Sequence, residues 1–176
     1  MVILARINQQ LNENLGILKK RMKKYSDISI SRYLNPDLVL FMNVSSQEEA
    51  IEKLVAGLQE KGVLKDSQLF KDAVCTREKL VSTGIGMGIA IPHAKLIGYD
   101  QFFIAIGVQT GEGIEWNSLD DNPVRVIFMI GGPANRQVEY LKILSCLTIA
   151  IKNEALRKKL FQALTVNEVI DLFEGY

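Results

Sequence analysis

The sequence predicts an α/β fold: a mixed, largely buried β-sheet flanked by helices on both faces, with an extra N-terminal amphipathic helix. Three observations predict it. Short apolar, β-rich runs alternate with segments of helical period, the pattern of a sheet covered by helical layers. The strands between residues 102 and 130 follow one another too closely for helical crossovers, so at least one pairing is antiparallel. Ahead of all of them, Ile3, Ile7, Leu11, Leu15, Leu18, Met22 and Tyr25 recur at steps of three and four, an amphipathic stripe over residues 2–25.

Taken in order, that first helix ends in Lys19, Lys20, Arg21, Lys23 and Lys24, cations that complement a helix C-terminus. Its stripe is near-heptad over only about three repeats, adequate for docking or self-association through residues 2–25. After Asn35-Pro36, Leu38–Met42 reads as a buried strand. The run Ser45-Ser46-Gln47-Glu48-Glu49 then offers a capping box for a helix to about Lys61, burying Ile51, Leu54, Val55 and Leu58 and stopping at Gly62. A second helix is expected over about Asp66–Thr76, with Leu69, Phe70 and Val74 inward. Strands follow at Ile89–Ile91, Phe102–Gln109 and Val124–Ile130, with a short extended piece at Ile114–Trp116. Three helices close the chain: Gln137–Ile151, one after Asn153, and one capped by Thr165-Val166-Asn167-Glu168.

At 176 residues and 48% hydrophobic composition the chain suits one sizeable core. Its 21 basic and 20 acidic residues leave a formal charge of +1, which gives no global pull toward nucleic acid or acidic lipid. No nucleic-acid partner and no membrane insertion are expected. The opening apolar run is broken by Arg6 and Asn8 before it forms a signal-peptide core, so a cytoplasmic location is expected. Cys75 and Cys146 lie far apart, and with a single histidine they complete neither a disulfide scaffold nor a metal finger. Both read as buried, reduced thiols, and neither metal nor cofactor is expected.

The chemistry concentrates in Ser82-Thr83-Gly84-Ile85-Gly86-Met87-Gly88-Ile89-Ala90-Ile91-Pro92-His93-Ala94-Lys95. This is no standard nucleotide loop: the glycines are spaced G-x-G-x-G, no Gly-Lys-Ser/Thr ending follows, and the loop enters a strand instead of leaving one. Alternating glycines permit close backbone approach and turn amide N–H groups around an anion, so Ser82, Thr83, Gly84 and Gly86 are expected to cradle a phosphate. Pro92 has a fixed φ and biases Ile91 to extended geometry, delivering His93 rigidly at the carboxyl end of a strand. A neutral imidazole is a competent nucleophile near neutral pH. Phosphoryl transfer needs chiefly alignment and charge compensation, and Arg77 is the expected guanidinium partner for phosphate oxygens. A core hydrogen-bonding role for His93 and a surface ion pair for Arg77 are the bland alternatives.

These residues resemble the enzyme IIA domains of the fructose, mannitol and nitrogen-regulatory branch of the bacterial phosphotransferase system. The resemblance runs through ISRYLNPDLVL at 30–40, Arg77-Glu78, Ser82-Thr83-Gly84, Ile91-Pro92-His93, Asp121-Asn122-Pro123-Val124, Ile130-Gly131-Gly132-Pro133 and the helix with Leu141, Leu144 and Leu147. It implies an extension over residues 1–28 and an enzyme IIA-like phosphocarrier domain over 29–176. It implies that His93 is phosphorylated by phospho-HPr at Nε2 and that Arg77 contacts the phosphoryl group. Many relatives carry a second active-site histidine where this chain has Tyr140. Tyrosine supplies no positive charge at pH 7, but its hydroxyl suits a phosphoryl oxygen; a core or rim tyrosine is the alternative.

Two uses share such a site. A sugar-transporting member passes phosphate to an enzyme IIB, whereas a nitrogen-type member regulates a protein partner by its phosphorylation state. The short chain, with no fused IIB or IIC segment, tips the expectation toward regulation. A non-catalytic binding module with the same fold is the third reading.

Overall fold

The computed structural model describes residues 29–176. The expected helix over residues 2–25, and self-association through it, lie outside the described residues. A single 3₁₀ turn at Ile30–Tyr33 leads into β1 (Leu34–Met42), followed by helices α1 (Gln47–Glu60) and α2 (Ser67–Leu80). Four strands come next: β2 (Gly84–Gly86), β3 (Ile89–Ala90), β4 (His93–Leu96) and β5 (Phe103–Gln109). The chain then runs through β6 (Val126–Pro133) into helices α3 (Gln137–Lys152), α4 (Glu154–Gln162) and α5 (Val166–Asp171).

The six strands form one sheet in the order β1-β5-β6-β3-β2, with β4 also paired to β6. β1 runs parallel to β5, and β3 and β4 run parallel to β6. The β5–β6 pair is antiparallel, as the short connection requires, and so is β2–β3. The mixed sheet expected from the spacing is thus the sheet observed.

Every residue of β5 and β6 is buried, so their alternating side chains build two cores. Ile104, Ile106, Val108, Val126, Phe128 and Ile130 meet Ile143, Leu147, Leu156, Leu160 and Val169 of the C-terminal helices. On the other face Phe103, Ala105, Ile127 and Met129 meet Ile51, Leu54, Leu58, Phe70 and Val74 of α1 and α2. Burying each such large side chain stabilises the fold by about 1.5–3 kcal/mol.

The helix ends follow local chemistry. Ser46 Oγ accepts from Glu49 N, while the Glu49 carboxylate reaches back to Ser45 N rather than to the cap residue. Gly62, at φ +66°, closes α1, with its N–H on Gln59 O and that of Val63 on Leu58 O. Thr165 and Glu168 form the full reciprocal capping box of α5.

Five details depart from the sequence expectations. β1 begins four residues early and carries Pro36, which an edge strand tolerates because its outer N–H positions need no ladder partner. α2 continues past Thr76 to Leu80, since no Gly or Pro stops it and Arg77 and Lys79 complement its C-terminus. Leu69 is half-exposed, not inward. Cys75 and Cys146 are half-buried rather than buried. Most consequential, His93 opens a strand instead of closing one. The Ile89–Val126 and His93–Ile130 pairings share one register along β6, interrupted where Pro92 has no N–H to donate. No helix among the described residues is long and apolar enough to cross a membrane.

Candidate functional site

β4 is held on one side by β6, where Pro92 O accepts from Ile130 N, and is covered by α2. This places the half-buried His93 ring between the last turn of α2 and the first turn of α3. An open cavity of about 580 Å³ lies there, its walls including Arg77, His93, Lys95 and Tyr140, with Leu69 and Leu80 among its apolar residues.

The two imidazole nitrogens have different partners. Nδ1 lies 2.9 Å from Ile91 O, the carbonyl two residues back that the proline turn aims at it. Nε2 accepts from Arg77 Nε–H at 3.0 Å. Because an N–H points at Nε2, the proton belongs on Nδ1, where it donates to Ile91. Arg77 is braced in turn by Nη1–H donating to Val81 O at 2.8 Å, a contact that exists only because α2 runs on to Leu80.

Burial lowers the His93 pKa below its ordinary value; the hydrogen bond to Ile91 opposes this, and the charge of Arg77 adds to the lowering. The ring is therefore neutral at pH 7 with a lone pair on Nε2. Tyr140 stands 5.5 Å from the His93 ring, centroid to centroid, and is 4% exposed. Its hydroxyl is buried without a hydrogen-bond partner from the protein. Desolvation pushes its pKa up to about 12, with Arg77 pulling the other way, so it remains a neutral donor.

The expected cradle residues have partners within the protein. Ser82 Oγ donates to Trp116 O and accepts from Gly84 N. Thr83 gives both its N–H and its hydroxyl to the Glu78 carboxylate. Gly84 is required by close approach, since a Cβ there would fall 2.7 Å from Ser118 Oγ. Gly86, at φ +82°, opens the β2–β3 turn, and Met87 N in that turn donates to Asp120 Oδ2 at 2.7 Å. The turn does bind an anion, but it is the protein's own carboxylate. None of these four residues is among those that wall the His93 cavity.

Sequence reasoning noted Glu78 only as the neighbour of Arg77 and gave it no role. Its carboxylate also accepts from Trp116 Nε1–H and Gln47 Nε2–H, both at 3.0 Å, so one side chain ties α2 to the loop before β2, to α1 and to the buried tryptophan. The only sequence signal was its adjacency to Arg77.

A mixed α/β domain that holds one neutral histidine beside an arginine, at an open cavity with an unsatisfied tyrosine hydroxyl, is built to meet an oxyanion. Comparison with known proteins gives that class its family. Residues 32–176 match the model of the "Phosphoenolpyruvate-dependent sugar phosphotransferase system, EIIA 2" family, and the chain belongs to it. It is 37% identical over 137 residues to the fructose-specific EIIABC component of Bacillus subtilis, covering 77% of this chain and only 21% of that protein. Against the nitrogen regulatory protein of Klebsiella oxytoca it is 30% identical over 148 residues, covering 84% and 91% of the two chains. The crystal structure of nitrogen regulatory protein IIA-Ntr from Neisseria meningitidis matches with TM-score 0.74 at 30% identity, covering 82% of this chain and 98% of that one.

Proposed function

We propose that this chain is a cytoplasmic phosphohistidine carrier that accepts a phosphoryl group on Nε2 of His93 from a phospho-HPr-like donor. It acts as a protein-histidine phosphotransferase component without a small-molecule substrate or cofactor. The observation that carries this reading is the division of labour on the ring: Nδ1 is held by Ile91 O, and Nε2 faces Arg77 at the cavity. In transfer, the Nε2 lone pair forms the new N–P bond as the donor's N–P bond breaks and its electron pair returns to the donor nitrogen. Arg77 then turns its donors from the ring to the phosphoryl oxygens, where a guanidinium has both charge and a matching fork. Tyr140 contributes its unpaired hydroxyl to the same group.

For the receiver, the reading is a nitrogen-type regulatory role, in which the added negative charge at this surface alters a protein–protein contact. The similarity in sequence to the nitrogen regulatory protein of Klebsiella oxytoca and in fold to IIA-Ntr of Neisseria meningitidis supports it. The higher identity to a fructose-specific component supports the second reading, delivery to an enzyme IIB.

The test is incubation with phosphorylated HPr, read by intact mass and by acid-labile, alkali-stable phosphate. The native chain gains one phosphoryl group, His93→Ala gains none, and Arg77→Ala reacts on the order of 100-fold more slowly. A native chain left unmodified by a competent donor overturns the proposal. Onward transfer to fructose- or mannitol-type IIB domains would favour the second reading; no transfer to either supports regulation.

A further inference from the structure

Lys95 has no role in the function proposed so far. It lies two residues after His93 on β4, so the two side chains leave the same face of the strand while Ala94 points into the core. Its ammonium sits 4.7 Å from the centroid of the Tyr140 ring, the same ring that stands 5.5 Å from His93. It donates to Gln137 Oε1 at the start of α3. Among the described residues it forms no ion pair with a carboxylate, although Asp72 also lines the cavity; Glu78 is taken up by its four donors, and Glu139, in the first turn of α3, is paired with Arg136. The cavity wall thus holds two cations, Arg77 and Lys95, beside an uncharged histidine.

We propose that Lys95 is the second cation of the site: when His93 carries a phosphoryl group, the Lys95 ammonium exchanges Gln137 and the Tyr140 ring for the phosphoryl oxygens. Tyr140 then supplies the hydrogen bond and Lys95 the charge that tyrosine lacks. The exchange is favourable because a charge-assisted bond to a phosphoryl oxygen is about twice as strong as a bond to a neutral amide. Lysine's flexible four-carbon stem permits the swing.

This inference rests on His93 carrying phosphate, and the test supplies the phosphate without a protein donor. Phosphoramidate reacts with the full chain: Nε2 bonds to phosphorus as the P–N bond to ammonia breaks and ammonia leaves. The second ionisation of the phosphoryl group is then followed by ³¹P NMR against pH in the native chain, Lys95→Met and Lys95→Arg. A nearby cation favours the dianion, so Lys95→Met raises this pKa by about half a unit or more, roughly a threefold gain in proton affinity, and Lys95→Arg restores it. The Lys95→Met phosphohistidine also hydrolyses several-fold faster. Equal titration of the native chain and Lys95→Met overturns the inference, as does a rise that Lys95→Arg fails to reverse, or a native His93 that phosphoramidate does not modify. If phosphoramidate modifies the chain but phospho-HPr does not, the carrier role falls while the Lys95 assignment stands on its own titration.

Discussion

At the residue scale, the role proposed for His93 rests on asymmetry: a carbonyl holds Nδ1–H and an arginine N–H faces Nε2. Its pKa is lowered, chiefly by burial, so protonation arrives only at a pH below the usual histidine value of about 6.5. The rate of phosphoryl acceptance should therefore stay level from neutral pH down through that value and fall only beneath it. Titration of the single histidine ring by NMR checks this, and a midpoint at or above 6.5 would contradict it. Arg77→Ala removes one charge that lowers this pKa and should move the midpoint upward. Tyr140 makes a second prediction. Its hydroxyl is buried and unpaired, so Tyr140→Phe should stabilise the unphosphorylated protein by about 1 kcal/mol in urea unfolding. The same substitution should shorten the phosphohistidine lifetime. Loss of stability on removing the hydroxyl would mean that it already has a partner.

At the scale of elements, the site depends on where α2 ends and how it is tied. Periodicity located α2 but not its last turn; there Arg77 is braced at Val81 O, four residues on, while the Glu78 hub ties the same turn to the buried Trp116 and to Gln47 of α1. Glu78→Ala should cost about 2–3 kcal/mol, because it orphans the N–H groups of Thr83 and of the Trp116 ring, which is 1% exposed. Urea unfolding with an unchanged m-value measures it, and a loss below about 0.5 kcal/mol would show that these donors find other acceptors. β4 was likewise invisible as a separate strand. Its pairing depends on β6, 37 residues later in the chain at His93–Ile130, and no window around His93 contains that partner.

For the whole molecule, the described residues close on themselves. Ile30 N–H donates to Tyr176 O, Ser29 Oγ–H donates to the same carbonyl, and the sheet carries a core on each face. The family match begins at residue 32. A chain of residues 29–176 should accordingly fold alone, with a thermal midpoint within about 4 °C of the full chain and unchanged phosphoryl acceptance. A drop of more than about 10 °C would place part of the stabilising core before residue 29.

The sequence by itself determined the α/β class, the order of the helices and of the long strands β1, β5 and β6, the caps at Ser46 and Thr165, and the pairing of one histidine with one arginine. These follow from periodicity, local hydrogen-bond chemistry and short motifs, all contained within a few turns of chain. Tertiary structure alone decided that the glycine turn holds Asp120, that Glu78 joins four groups, and that Lys95 and His93 share the ring of Tyr140. Apart from the two Glu78–Thr83 bonds, which span five residues, those contacts join residues more than 30 positions apart, and the register of the strands along β6, which sets where Lys95 and His93 meet Tyr140, is a property of the packed sheet that no local stretch of sequence specifies.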